Sequence, residues 1–596
     1  MLKKFIKKYF ESFAYFYSFL RYRVLLIIFF SILIGLLDGL GLTMFLPLLQ
    51  MVSDTSQVDP ESLGKLRFLV DFFGQVGLPL NLISILVLML IFFFSKAVVQ
   101  YIGGVYNVNV REWFIKKIRL ENIIGLNSLS YKYFVMADVG RIQNTLTGEV
   151  DRVAGSYFNY FKAFEYGILV AVYMGFAFTL NPQFAILVTI GGVLTNFLYK
   201  KLYENTRGIS RKLTGENNVF QSLIIQNVSN YKYLKATGSL GKYGKKLEDS
   251  VFKIQDSNKK IGILDVLLTS GREPILITVV VLVIIIQTTF LNSDLGPILI
   301  SLIFFYRALN YLMQMQVRWN KFLSSSGSLE NMAKFGEELR RNKERYGSEA
   351  LIDSINSLTL DNISFKYNDT TILEDLSFSV HKNETIAFVG ESGSGKTTLV
   401  NILAGLLPID SGGFFINGKD SINIDTLELQ KKIGYITQDP VIFNDTLFNN
   451  VTFWAERNQE NLDKFWKAVK QASIYDFAIE LKNQEKEILG NNGVNLSGGQ
   501  RQRVSIAREL FKDVEILILD EATSALDSET EKAIQQNIDQ LKGEYTILIV
   551  AHRISTIKNA DKIVVMKNRG ISQIGNFNEL TINSPYFKKL VELQEI

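Results

Sequence analysis

The stretch "PILITVVVLVIIIQTTF", residues 274–290, has no ionisable side chain. It is too long and too evenly apolar for a helix in a soluble core, and a bilayer is the environment that accepts it. A spanning helix needs about 20 mostly apolar residues. Six segments satisfy that: Val24–Leu49, Leu82–Tyr106, Tyr157–Leu180, Phe184–Tyr203, Ile261–Phe290 and Leu295–Val317. The pattern stops abruptly, and beyond Ser354 the chain reads as a soluble α/β protein. The expected division is therefore a membrane domain at 1–325, a linker at 326–353 and a soluble domain at 354–596.

Basic residues set the orientation. Lys3, Lys4, Lys7, Lys8, Arg21 and Arg23 precede the first span, whereas the links "NPQ" (181–183) and "LNSD" (291–294) carry none. This places the N-terminus and the soluble domain inside. The basic, amphipathic N-terminal stretch is expected to lie on the inner membrane surface, not to act as a cleaved signal. Two long polar connections, Asn107–Ser156 and Glu204–Lys260, also fall inside, and both have helical periodicity. The spans should continue into the cytoplasm, turn and return.

With no cysteine and two histidines, His381 and His552, the chain excludes disulfides, thiolate chemistry and histidine-rich metal sites. Its net charge of +5 points to no particular polyanion. Within or near the spans lie Asp38, Lys96, Asp265, Arg272, Glu273 and Arg307. Charge at such depth is costly and marks a pathway or a paired site. Lys96 and Arg307 have no carboxylate beside them in sequence. Two readings stay open: they line an inner cavity that attracts an anionic group, or the in-span charges are structural, snorkelling to the interface or, for Arg272 and Glu273, pairing only to pack helices.

In the soluble half, "ETIAFVGESGSGKTTLVNILAGL" reads as an apolar strand, a glycine-rich turn and a helix. Gly390, Gly395, Lys396 and Thr397 fit the phosphate-loop spacing in that context. Glycines allow successive N–H groups to curl around phosphate oxygens, and the helix start adds positive potential. Lys396 can reach the β- and γ-phosphates, and the Thr397 hydroxyl can ligate Mg²⁺. "VEILILDEATSALD" is an apolar strand ending in Asp520 and Glu521, suited to a metal shell and to activation of water. A helix cap is the plainer account of those two acids, but it leaves the preceding apolar strand unexplained. Gln438 and His552 end two further strand-like runs.

Taken in order, "GESGSGKTT", "ITQDP", "LSGGQRQR", "ILILDEATSALD" and "VAHR" resemble the nucleotide-binding domain of ABC transporters. Six spans ahead of one such domain resemble exporter-class half-transporters. The fold this implies is a polytopic α-helical membrane domain with long cytoplasmic extensions, fused to an α/β P-loop ABC domain. The implied activity is ATP hydrolysis, with Mg²⁺, coupled to transport across the cytoplasmic membrane of a bacterium.

By the same resemblance Tyr367 stacks on adenine, and Gly390, Ser392, Gly393, Ser394, Gly395, Lys396, Thr397 and Thr398 hold the phosphates. Thr397, Gln438 and Asp520 serve Mg²⁺, Glu521 is the general base and His552 contacts the γ-phosphate. Ser497, Gly498, Gly499 and Gln500 meet ATP held by a partner chain, and Asp527 lies across that interface. The inside connections around Ala137–Arg141 and Gly215–Gln226 resemble the short coupling elements that dock into each nucleotide-binding domain. One departure stands out: "LGNNG" before the signature places neutral Asn491 where many exporters carry an acid.

The implied partners are a second copy of the chain, the bilayer and a lipid or other amphiphile, with no nucleic acid. The long outer link contains amphipathic "LGKLRFLVDFFGQVGL", which resembles the external helix of lipid-linked oligosaccharide exporters. With Lys96 and Arg307 it favours a lipid-linked or phosphate-bearing substrate. Export of drugs, other hydrophobic compounds or peptides is the alternative, and a non-transporting ATPase or channel ranks below both.

Overall fold

The computed structural model describes residues 12–45, 47–48, 79, 81–180, 182–286, 289, 295–344, 346–351, 353–521, 528–551, 553 and 557–592. The outer amphipathic segment at 63–78, Asp527 and His552 lie outside the described residues. The chain divides into two compact units, Met1–Leu129 with Ala137–Lys343, and Ser130–Met136 with Glu344–Ile596.

The first unit is helical. Its elements include Arg23–Thr43, Leu82–Asn127, Gly148–Leu180, Pro182–Ser229, Leu240–Ser270, Arg272–Ile285 and Leu295–Ser324. Among the described residues, four helical stretches are long and apolar enough to cross a membrane. Helices of 46 and 48 residues, Leu82–Asn127 and Pro182–Ser229, far exceed the roughly 20 residues a bilayer requires. The excess forms the expected extensions.

The chain leaves helix at Ala137–Asp138, inside the first expected coupling stretch, whereas the second expected stretch is helical throughout. Short helices Tyr131–Met136 and Tyr231–Ala236 end the extensions. Gly215–Gln226 lies inside the long helix Pro182–Ser229, and Val139–Arg141 begins the helix Val139–Leu146. Periodicity reveals a helix but not where it stops, because "SNYKYLKATG" lacks proline and is itself helix-compatible.

The lysines of the N-terminal stretch, Lys3, Lys4, Lys7 and Lys8, lie outside the described residues. Residues 12–20 are helical and bury one face against the unit. Phe16 and Leu20 are completely buried, and Phe16 packs against Phe114, Tyr157, Tyr160 and Phe161 at ring separations of 5.2–5.9 Å. The expected linker begins as the helix Ser326–Arg341, which buries Leu329, Met332, Phe335 and Leu339.

The second unit contains two sheets. Strands β1 (Ser357–Tyr367), β2 (Thr370–His381), β4 (Ser411–Ile416) and β5 (Lys419–Asp420) form an antiparallel sheet in the order β2-β1-β4-β5. The larger sheet contains β3 (Thr385–Gly390), β6 (Ile433–Ile436), β7 (Ile516–Asp520), β8 (Thr546–Val550), β9 (Lys562–Lys567) and β10 (Gly570–Gly575), ordered β10-β9-β3-β8-β7-β6. Its pairings are parallel except for β9–β10. Continuous apolar runs such as "ILIL" and "TILIV" suit strands covered on both faces.

A helical group, Leu447–Thr452, Gln459–Gln471, Tyr475–Glu480 and Gly498–Phe511, completes the unit. Arg508 ties it together, donating to the carbonyl oxygens of Asn450 (2.6 Å) and Val441 (2.8 Å) while its guanidinium lies beside the rings of Phe443 and Phe453. Because Arg508 is buried, replacing it with Met would strand two carbonyls. Arg508→Met should lower stability by about 3 kcal/mol, seen as a lower midpoint for the second unit in thermal unfolding by circular dichroism.

Candidate functional site

β3 ends at Gly390, and the chain turns through residues 390–395 into the helix Lys396–Leu403. Gly390 has φ +152° and Gly395 φ +97°, and a Cβ at these positions would lie 2.3 Å from the Met566 carbonyl and 2.6 Å from Leu373 respectively. Both positions therefore require glycine. The turn exposes Ser392 and Gly393 and half-buries Ser394 and Thr398. Lys396 folds back, its Nζ donating to the carbonyls of Gly390 (2.9 Å) and Glu391 (3.1 Å). Burial pushes the Lys396 ammonium below its ordinary pKa, while the Glu521 and Asp520 carboxylates act in the opposite direction.

Those two acids stand at the end of β7. Thr397 Oγ1 donates to Asp520 Oδ1 (3.3 Å), and Gln438 Nε2 donates to Glu521 Oε2 (2.8 Å). Glu521 has φ +52°, a left-handed conformation that costs a non-glycine residue strain and is frequent at functional sites. Four sequence-expected residues from three separate stretches thus meet at the loop: Thr397, Gln438, Asp520 and Glu521.

The donor set suits a triphosphate with its metal. The helix start and the glycine turn favour anions, and the buried Ser394 hydroxyl has no partner among the described residues. A carboxylate, a hydroxyl and an amide supply the oxygen ligands a hard divalent cation needs.

Tyr435 was not anticipated. Its hydroxyl donates to Asn401 Oδ1 (2.9 Å) and lies 3.2 Å from Asp520 Oδ2. Burial, reinforced by Asp520, pushes the Tyr435 phenol up. In sequence it looks like one more apolar member of "IGYI"; only the β6–β7 register brings it beside Asp520.

Tyr367 closes β1 and meets Phe365 edge-on at 4.9 Å. Within the same unit, Asp410 accepts from Lys132 Nζ (2.9 Å) and from the Lys366 amide (2.7 Å). Asp410 thereby steadies the backbone next to Tyr367, a link that no local pattern signals.

Ser497 caps the helix Gly498–Phe511. Its Oγ accepts from the Gln500 amide (3.2 Å), while Gln500 Oε1 accepts from the Ser497 amide (2.8 Å). This reciprocal box accounts for the serine and glutamine. Gly498 and Gly499 open the helix without side chains that would obstruct its first turn.

In the first unit the geometry corrects the reading of Lys96. Its ammonium is 2.6 Å from Asp38 Oδ1, and Asp38, only 1% exposed, also accepts from Tyr173 Oη. The partner lies 58 residues away, which is why Lys96 looked unpaired in sequence. Tyr173 stacks on Tyr311 at 5.5 Å, and half-buried Arg307 is close enough to act electrostatically on both tyrosines. Asp265 is paired with Lys321 at 3.8 Å.

Lys96→Met should destabilise the first unit by about 3 kcal/mol by leaving the Asp38 charge buried and unpaired. Asp38→Asn in the same chain should recover most of that loss. Thermal aggregation in detergent, compared across both single variants and the double variant, measures this coupling.

Comparisons with known proteins agree with the architecture. Residues 24–317 match the family described as "ABC transporter transmembrane region", and residues 373–524 match "ABC transporter". An ATP-dependent lipid A-core flippase of Psychrobacter arcticus is 30% identical over 505 residues, covering 82% of each chain. The heterocyst differentiation ATP-binding protein HepA of Nostoc is 28% identical over 567 residues, covering 94% of this chain and 92% of that one. A bacterial Atm1-family ABC exporter solved with ATP bound shares the fold, with a TM-score of 0.77 at 23% identity over 97% of this chain and 99% of that one. The chain therefore belongs to the ABC transporter family: it is an exporter-type half-transporter of the cell membrane, whose cytoplasmic nucleotide-binding domain binds ATP and hydrolyses it to drive transport.

Proposed function

We propose that two copies of this chain form the working exporter, with six spans each and domain limits near 325 and 354. The spans beyond the four apolar stretches would be the first part of Pro182–Ser229 and of Leu295–Ser324. In this reading each ATP sits between the phosphate loop of one copy and the Ser497–Gln500 cap of the other. The Ser497 oxygen already accepts from an amide, so its hydrogen remains available to donate to a γ-phosphate. Gly498 and Gly499 offer backbone N–H groups at the positive helix end, and Asp527 would complete the interface.

Within one copy Tyr367 would carry the adenine, and Lys396 would exchange loop carbonyls for phosphate oxygens. Thr397, Asp520 and Gln438 would hold Mg²⁺, which supplies charge neutralisation at the phosphates. Glu521 would take a proton from the attacking water, with Gln438 fixing the carboxylate and His552 contacting the γ-phosphate. The observation that carries this reading is the pair of bonds Thr397–Asp520 and Gln438–Glu521, which join a phosphate loop to a candidate metal ligand and a candidate base. Clamping would draw the cytoplasmic helix ends together, and hydrolysis would release them.

The transported molecule in this proposal is an amphiphile with a phosphate-bearing head. Support comes from the relatives named as lipid A-core flippases and from the charged cluster around Asp38, Lys96, Tyr173 and Arg307. With Lys96 neutralised by Asp38, Arg307 becomes the principal cation for the head group.

Two measurements test these roles. Glu521→Gln should bind ATP and remain dimeric while turning over roughly a hundredfold or more slower; equal turnover would remove Glu521 as the base. Arg307→Ala should weaken stimulation of the ATPase by a phosphate-bearing lipid more than Lys96→Ala does, whereas equal stimulation in both variants and the parent would remove the head-group role.

A further inference from the structure

The hydroxyl of Tyr435 stands between the strand that ends in Asp520 and the helix that follows the phosphate loop. Tyr435 of β6 pairs with Ile518 of β7. Asp520 comes two residues after Ile518, so strand alternation puts its side chain on the same face as that of Tyr435. There the hydroxyl meets two oxygens, Asn401 Oδ1 at 2.9 Å and Asp520 Oδ2 at 3.2 Å. Asn401 belongs to the helix Lys396–Leu403.

A phenol has one proton and cannot donate fully to both oxygens. The carboxylate is the stronger acceptor, because a bond to an ionised group is roughly twice as strong as a neutral one. The Asn401 amide can accommodate that choice. Turned over about its last bond, it offers an N–H to the Tyr435 oxygen, and the phenol proton then goes to Asp520. Asp520 Oδ1, meanwhile, accepts from Thr397 Oγ1. The two carboxylate oxygens therefore have different tasks: Oδ2 is held by Tyr435, and Oδ1 stays turned to the loop.

Tyr435 is itself fixed in place. Its strand lies at the edge of the larger sheet, and its backbone amide donates to the carboxylate of buried Glu509. Glu509 also accepts from Lys512 Nζ at 2.6 Å. Gly434 admits this close approach, since a Cβ there would lie 2.9 Å from the Glu509 Cβ.

We propose that Tyr435 is a positioning residue for the divalent cation: by holding Oδ2 it keeps Asp520 Oδ1 directed at Thr397 and the phosphate loop. The proposal rests on the reading of Asp520 as a residue that serves Mg²⁺. That ion demands near-ideal geometry from its ligands, so a carboxylate that can rotate binds it less well.

The test measures cation binding without turnover. Full-length protein carrying Glu521→Gln, in detergent and in molar excess over ATP, is titrated with Mn²⁺ in place of Mg²⁺ and read by electron paramagnetic resonance. Adding Tyr435→Phe, which keeps the ring and its packing, should raise the Mn²⁺ concentration for half-saturation about tenfold, the worth of one hydrogen bond to a charged group. ATP affinity measured in EDTA should not change. Asn401→Leu removes only the neutral acceptor and should leave half-saturation where it was. A merely structural tie between β6 and the loop helix would make the two variants alike. That result would overturn the proposal, as would an unchanged half-saturation in Tyr435→Phe. Asp520→Asn keeps the two readings apart, because it should weaken Mn²⁺ binding at least as much as Tyr435→Phe. No weakening there would sink the metal role of Asp520 and the proposal with it, whereas weakening there alone would sink only the proposal.

Discussion

The nucleotide site depends on a shared register along the parallel strands. Phe388 of β3 and Asp520 of β7 both pair with Val550 of β8. The Glu521 amide then donates to the Val550 carbonyl and the Ala551 amide to that of Phe388. β7 and β8 therefore finish at one level and β3 runs two residues further, to Gly390, so the residues just beyond all three emerge at the same sheet edge. Open parallel sheets present their ligand crevices at that edge. The phosphate loop follows one strand and the acids end another, so the site is a consequence of strand pairing. A slip of one residue would turn Asp520 to the opposite face.

The first unit solves a different problem. Taking a carboxylate out of water is tolerable when its charge and lone pairs are answered. Asp38 receives an ammonium from one helix and a phenol from another, and in return fixes how those helices face each other. The same economy governs Arg508, whose buried guanidinium replaces solvent for carbonyls that no regular helix bond could reach. In both places a buried polar group specifies an arrangement that apolar packing alone would leave degenerate.

What could be read from sequence follows this physics closely. The phosphate turn, the acids after "ILIL" and the serine cap are local signals, because each is a short run whose backbone conformation demands those residues. The long helices were also legible, as apolar runs prolonged by periodic polar ones. Partners across space were not. Lys96 seemed isolated because Asp38 belongs to another helix, Tyr435 resembled filler because only sheet register aims its hydroxyl, and Lys132 and Asp410 meet across 278 positions. The turns at Tyr131–Met136 and Tyr231–Ala236 escaped because their residues favour helix as strongly as the stretches around them.

The cap at Ser497 has an energetic consequence. Because serine and glutamine already satisfy each other's amides, the first turn of that helix is rigid before any phosphate approaches. A disordered loop would have to surrender conformational freedom on contact, at about 1–2 kcal/mol per residue. Here that entropy is spent during folding, so in the proposed dimer an arriving anion would meet dipoles already aligned, and its attraction could go into joining two protein surfaces instead of organising one.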